Sequence, residues 1–482
     1  MDTLHTLVRP APSLLARRLA VAGALAAGCL ASAAVRAQED PPGRVGRVAE
    51  IAGTVRTLDA DGGWMDVVRN QVLSTGDRIT TDKDGRATLQ IGSTVVRLGS
   101  DSDLVVKQMD DQHVRLRFDH GELAVRVRSE DIPGELFIDT DEGAWVPHHI
   151  GQYRFDRDAR RPLLGAQAWS GDMLLEAPDS SLPLKAPQRA QVWRDGKNAT
   201  HYRIDAAAKD AFGDWVLAQD KLDDAHAAAD AAAQVSPEMT GAAELARFGA
   251  WSTGPGGARL WTPAKLPAGW QPYQQGAWSW KMPWGWTWVD DQPWGFAPFH
   301  YGRWLQVKGR WAWTPGQWGA ARPVFAPALV GWLGGPALSV DGGPAIGWVA
   351  LAPDEPVFPA YAVSARYWNA ITEPAVAPAA RRPVAIGGRA RLLPTGVAAY
   401  ANRAVPGAVT VVAANALGAW VPVSQMPGPR GAELRKPAFE KTLAAAAPTA
   451  PPPAPAGRGA LSASSPTVQV PLEAAKGATA SR

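Results

Sequence analysis

The chain is 482 residues long, more than one ordinary hydrophobic core organises, and it carries 48 Gly, 42 Pro and 22 Trp against 10 Phe and 7 Tyr. Its formal charge of +3 comes entirely from the first 37 residues, where Arg9, Arg17, Arg18 and Arg36 face Asp2 alone; the neutral remainder argues against non-specific nucleic-acid binding. A single cysteine, Cys29, excludes a disulfide framework, a cysteine-based zinc site and a cysteine nucleophile in the body of the protein.

Residues 1–37 read as a cleavable export signal. Arg17 and Arg18 precede an alanine-rich apolar run, Leu19 to Ala34, and Val35-Arg36-Ala37 puts compact residues at the cleavage positions, so that Gln38 would begin the mature chain. A retained membrane anchor and a lipoprotein acylated at Cys29, within Ala26-Ala27-Gly28-Cys29, are the alternatives. No later segment is apolar for long enough to span a bilayer as a helix, so none is expected in the mature chain.

From 45 to 205 the pattern alternates with period two. Ala87, Leu89 and Ile91 face one way, as do Val114, Leu116 and Phe118, then Leu123, Val125 and Val127, then Leu136 and Ile138. Gly76, Gly85, Gly92, Gly99, Gly121 and Gly134 punctuate these runs, which predicts short strands in an all-β roll, sandwich or solenoid. Asp59-Ala60-Asp61-Gly62-Gly63 reads as a hairpin loop; the remaining ligands of a calcium loop are missing. Later runs around Tyr153, Leu174 and Val192 extend the same architecture.

Several of these segments, taken in order, resemble the FecR family. Val48-Ala49-Glu50-Ile51-Ala52-Gly53-Thr54-Val55 is similar to its opening strand, Leu73-Ser74-Thr75-Gly76-Asp77-Arg78-Ile79-Thr80-Thr81 to its L-x-x-G-D-x-I-x-T element, and Ala87 to Ser93 with Val95 and Leu98 to its a-x-l-x-l-x-d-G-S strand. His120-Gly121-Glu122-Leu123 and Phe137-Ile138-Asp139-Thr140 fit two later strands, and the match covers 45–145. The resemblance implies a periplasmic all-β module of a Gram-negative envelope. In complete ferric-siderophore regulators such a module relays a signal to a cytoplasmic anti-sigma segment. The residues before Leu19 are too few for that segment, so the expectation is a sensing or protein-binding module without that output.

Residues 206–247 form a connector whose helix is expected from Asp210 to Ala233, with a partial stripe of Phe212, Trp215, Val216, Gln219 and Leu222. Asp223, Asp224 and Asp230 around His226 read as a solvated acidic face; no second histidine stands four residues away to complete a metal pair.

Residues 248–415 are rich in Trp and Gly. Gly302-Arg303-Trp304, Gly309-Arg310-Trp311 and Gly316-Gln317-Trp318 recur every seven residues, and Pro283-Trp284-Gly285-Trp286 and Pro293-Trp294-Gly295-Phe296 recur at ten. Alternating Trp with glycine turns predicts a β-meander whose core is stacked indoles. Exposed rings are the other reading: a stacking face for cell-wall glycans or peptides, with Trp278, Trp280, Trp284, Trp286, Trp294, Trp304, Trp311 and Trp318 as candidates. The region resembles a Trp-rich bacterial domain of unknown function often found after FecR-like modules in exported proteins. The resemblance is carried by Pro283 to Val289, Pro293 to Trp304, Ile346 to Pro353 and Asn402 to Val412, and it implies no activity.

For catalysis the best acid/base set is Asp290-Asp291 with His300. Neighbours on a strand point to opposite faces, and a turn over Val289 to Pro293 accounts for both aspartates; His148-His149 meets the same objection as a metal pair. No metalloprotease, nucleophile-elbow or phosphate-loop motif occurs. A non-enzymatic protein without cofactor or metal is expected, its partner an envelope protein or a cell-wall glycan. Residues 427–482, rich in Ala and Pro, are expected to be a disordered tail.

Overall fold

The computed structural model describes residues 40–449, apart from 59–62, 162, 208, 230–234, 319–320, 335–337, 377–399, 419, 429–442 and 445–447. The export signal, Cys29 and the tip of the Asp59 loop therefore lie outside the described residues, as does the C-terminal tail save 427–428, 443–444 and 448–449. The protein is mainly β, as the period-two pattern demands.

The first unit contains seventeen strands, which pair as two sheets on one core. The strand Val114–Val127 belongs to both. Its first half pairs with Asp103–Met109 and, in parallel, with Leu136–Asp139; its second half pairs with Thr94–Leu98 and Gly151–Arg157. The inward positions change parity midway, from Val114, Leu116 and Phe118 to Leu123, Val125 and Val127. Gly121 marks the switch with φ of 99°, and a Cβ there would stand 2.3 Å from Ser102 Cα. What reads as two strands around a turn is thus one bent strand, because only glycine lets the chain change sheets at that point. Of the roll, sandwich and solenoid expected, the pairing builds two layers around a shared strand.

The Asp59 loop is flanked by a true hairpin, with Arg56 paired to Asp66 and Leu58 to Trp64. Asp77 of the Gly-Asp element closes a turn before the strand Arg78–Thr81: its N–H donates to the Ser74 carbonyl at 3.2 Å and its side chain accepts the Ser74 N–H at 2.7 Å.

The connecting helix runs Ala211–Ala229, and Asp210 caps it by accepting the Gly213 N–H at 2.9 Å. Phe212 and Val216 are buried with Ala124, a gain of about 1.5–3 kcal/mol for each large side chain. Leu222, expected on the same stripe, is 52% exposed. Beyond Val216 the inward stripe is continued by Asp220 and Asp223, which meet arginines of the sheet.

In the second unit the expected single meander is several small sheets. One has the order Gly249–Thr253, Arg259–Pro263, Arg310–Thr314, Arg303–Val307. A hairpin pairs Gly276–Lys281 with Gly285–Asp290, and a further sheet centres on Val330–Gly334 and Gly343–Ala350. Leu443–Ala444, inside the segment expected to be disordered, adds to the edge of Val330–Gly334. The seven-residue period has a backbone cause: Gly302, Gly309 and Gly316 all have positive φ, between 67° and 80°, so each repeat opens on a left-handed glycine, followed in the first two by a strand. A second helix, Ala365–Thr372, escaped sequence reading; Ser364 Oγ caps it by accepting the Tyr367 N–H at 3.2 Å.

Candidate functional site

The tryptophans pair across strands, Trp278 with Trp288, Trp280 with Trp286, Trp304 with Trp313 and Trp332 with Trp348. This is the register that alternation implies. Their rings meet edge-on or tilted, with Trp278 centred 4.8 Å from Trp332 and 5.4 Å from both Trp288 and Trp348, and Trp261 5.0 Å from Trp294. Six of the eight candidate face residues, Trp278, Trp284, Trp286, Trp294, Trp304 and Trp311, are buried and belong to this core, which corrects the reading of them as an exposed platform. Trp280 and Trp318 are partly exposed, one at a hairpin and one beyond the last turn of the repeat. The indoles are covered because the core draws in residues far from the repeat: Val45, Met239, Leu245, Val412 and Met426 all pack against it.

The acid/base candidates are sealed as well. Asp290 ends its strand and closes a turn, accepting the Gln292 N–H at 2.9 Å and the Trp288 indole N–H at 3.1 Å. Burial pushes its carboxyl well above the usual carboxylate range. The His300 Nδ1–H donates to the Ala326 carbonyl at 2.8 Å, and burial lowers the imidazole to about 4. His148 and His149 lie in a bend rather than in a strand, so both turn toward Asp172, His149 by a direct contact and His148 at 4.0 Å. Among the described residues no group of three His, Cys, Asp or Glu is placed to hold a metal.

The two units meet through buried polar groups. Arg47, fully buried on the strand Gly46–Ala52, donates to Gln90 Oε1 at 2.9 Å, to Asn70 Oδ1 at 2.8 Å and to Glu244. Asn70, in the left-handed region, donates across the junction to the carbonyls of Asp290 and Gln292 at 2.9 and 2.7 Å. Lys281 reaches Asp77 at 2.6 Å, and Thr240 bridges the Gly92 N–H and the Val45 carbonyl, each at 2.9 Å. The Gly-Asp element thus shapes its own turn and also receives the second unit.

Beside this junction lies a polar recess of about 530 Å³, including its solvent-open mouth. Its floor is the outer face of the first sheet, with Thr88, Arg97 and Arg128. Asp223 and His226 of the connecting helix form one wall, and Glu244 and Arg247 form the other. The helix is held there by Arg97, paired with Asp220 and, at 2.7 Å, with Asp223, and by Arg126, paired with Asp224 at 2.7 Å. Asp224 is exposed, as the reading of a solvated acidic face expects, and Asp223 is half-buried, while Asp230 lies outside the described residues; Asp220, which that reading did not include, is almost wholly buried with Arg97, and Arg126 and Arg128 also face this side of the helix. Such pairs contribute little net stability but fix where the helix sits. Sequence reasoning missed this site. The signal was present as Arg97, Arg126 and Arg128 on the polar face of strands and Asp220, Asp223 and Asp224 at helical spacing, but nothing local says that two such faces meet.

A family model, described as a family of unknown function (DUF6600), matches residues 242–355, from the wall of the recess through most of the indole core. Two crystal structures of a "putative anti-sigma factor" from Parabacteroides distasonis ATCC 8503 are similar at 15% identity over 27% of this chain, with a TM-score of 0.23. This chain spans 60% of their length, and a likeness at that score carries no argument about function. No curated protein matches the chain.

Proposed function

We propose that the chain is an exported, non-catalytic binding protein of a Gram-negative periplasm, in which a FecR-like β unit and a Trp-rich unit act as one body without an anti-sigma output. The observation that carries this reading is the junction. The fully buried Arg47 and Asn70 weld the units together, and a charged recess opens beside the weld. The acid/base candidates support a non-catalytic role, since Asp290 and His300 make their hydrogen bonds inside the core. Burial of six indoles counts against the alternative of a glycan-stacking face and confines it to the rims at Trp280 and Trp318.

Fractionation with N-terminal sequencing tests the compartment: the expected product begins at Gln38 in the periplasmic fraction. Recovery in the cytoplasm with the leader intact overturns the proposal, and acylated Cys29 as the first residue replaces it with a lipoprotein. In-cell photo-crosslinking from Gln219, on the edge of the recess, is expected to yield adducts that the same probe placed at Tyr202, on a remote edge strand, does not.

A further inference from the structure

The recess collects buried donors that the protein leaves without a hydrogen bond. Arg128 forms ion pairs with Asp223 at 3.4 Å and Asp224 at 3.8 Å, too long for well-formed hydrogen bonds, so its Nε and Nη2 make no hydrogen bond. Arg97 spends its terminal nitrogens on the helix and leaves Nε unpaired, although its side chain is 3% exposed. Thr88 Oγ1 and His226 Nδ1 are likewise buried without a partner. A buried donor without an acceptor costs about 1–3 kcal/mol, more when charged, and these donors belong to residues that line one recess, so a ligand that enters it and meets them as the side chains turn relieves that cost.

We infer that the recess binds a small monocarboxylate, held by Arg128 with Thr88 and His226 contributing hydrogen bonds. The donors call for oxygen acceptors, and a guanidinium fork matches a carboxylate in two-point geometry. Charge selects among the oxygen ligands. Around the recess Arg47, Arg97, Arg126, Arg128 and Arg247 are balanced by Glu50, Asp220, Asp223, Asp224 and Glu244. A phosphate dianion would meet those carboxylates with about twice the repulsion that a single negative charge meets, so the recess favours the monoanion at the fork that makes no hydrogen bond. Burial and the neighbouring Arg126 already depress the Arg128 guanidinium, and a bound carboxylate would reverse that penalty. The inference goes beyond the proposed function and does not depend on the compartment.

Calorimetric titration of the purified chain with N-acetylalanine, N-acetylalanine amide and inorganic phosphate tests it. Saturable binding of N-acetylalanine is expected at millimolar or lower concentration, with the amide and phosphate each at least about tenfold weaker. Arg128→Gln is expected to weaken the carboxylate at least about tenfold, while Arg310→Gln, exposed at the start of a strand of the second unit, leaves it unchanged. Melting midpoints accompany each titration; if Arg128→Gln does not fold, Arg128→Lys, which keeps the charge and loses the fork, is expected to weaken binding severalfold. Equal binding of the amide, preference for phosphate, unchanged affinity in the Arg128 variant, or no binding by the folded wild-type chain each overturns the inference.

Discussion

Replacing Arg47 by alanine tests the weld between the two units. In the folded protein this guanidinium is fully buried, bonded to Gln90, Asn70 and Glu244, and centred 5.8 Å from the Phe296 ring. Its removal leaves the Glu244 side chain, 16% exposed, without its cation, and strips Asn70 and Gln90 of a donor. Breaking one partner of a buried pair costs about 3–5 kcal/mol. Burial already raises the Glu244 carboxyl against the pull of Arg47, so the orphaned acid relieves part of the cost by taking a proton, which places the loss toward the lower end. Adding Glu244→Gln to Arg47→Ala is expected to recover about 1–2 kcal/mol, because the remaining buried group is neutral. Urea unfolding followed by tryptophan fluorescence, which weights the second unit, and by far-ultraviolet circular dichroism, which reports both, reads the result. The two probes are expected to coincide in the wild type and to separate in Arg47→Ala. A loss under about 1 kcal/mol with coincident transitions would place Arg47 among surface ion pairs and refute the reasoning.

Trp278→Ala is expected to cost about 3–5 kcal/mol and Trp318→Ala about 1 kcal/mol or less, by chemical denaturation; equal costs would contradict the burial difference between them. His300, lowered to about 4 by burial against an ordinary value near 6.5, contributes stability that is full above about pH 6.5 and is lost as pH falls to about 4, close to 3 kcal/mol in all. The stability gap between wild type and His300→Gln should therefore narrow between pH 7 and pH 4.5, and a constant gap would exclude the neutral buried imidazole. Asp290, raised by burial, runs the other way: its contribution is full below about pH 4 and declines as pH rises, so Asp290→Asn should be least harmful at alkaline pH in the same assay. Gly121→Ala, which sets a Cβ against Ser102 at φ 99°, should cost about 2 kcal/mol or more in the melting of the first unit; a neutral effect would mean that the bend tolerates a side chain.

Much of the architecture was legible in the residues because period-two alternation and glycine placement are local signals. The strand Arg86–Ile91 and the seven-residue glycine grammar of Gly302, Gly309 and Gly316 appear where the pattern puts them. The failures share one physical cause: each depended on a surface supplied from elsewhere. The burial of Asp220 on the otherwise acidic, exposed helix shows only once Arg97 and Arg126 are brought under it by strands distant in sequence. Trp294 and Trp304 look too numerous to bury until Met239, Val412 and Met426 arrive to cover them. The strand Val114–Val127 reads as two because the parity change at Gly121 is also the signature of a turn. The recess is formed by polar residues of six separate segments, at Glu50, Thr88 and Gln90, Arg97, Arg128, Asp223 and Glu244, none of which carries a motif.

The short stretch just before the first strand imposes an order of events on folding. Val45 is fully buried in the indole core, Gly43 accepts from the Phe325 N–H and donates to Asp111, and Asp40 receives both the N–H and the hydroxyl of Ser364. A ribosome releases these residues long before the partners that enclose them, so the strap must wait, tethered to the growing sandwich, until the last third of the protein is complete. Closing it spans most of the molecule, which makes it a late step whose entropy cost rises only slowly with the length of chain between. A piece cut at residue 248 would also lack Val45, Met239, Ala242 and Leu245, and would present to water the trough of tryptophan that these four side chains fill.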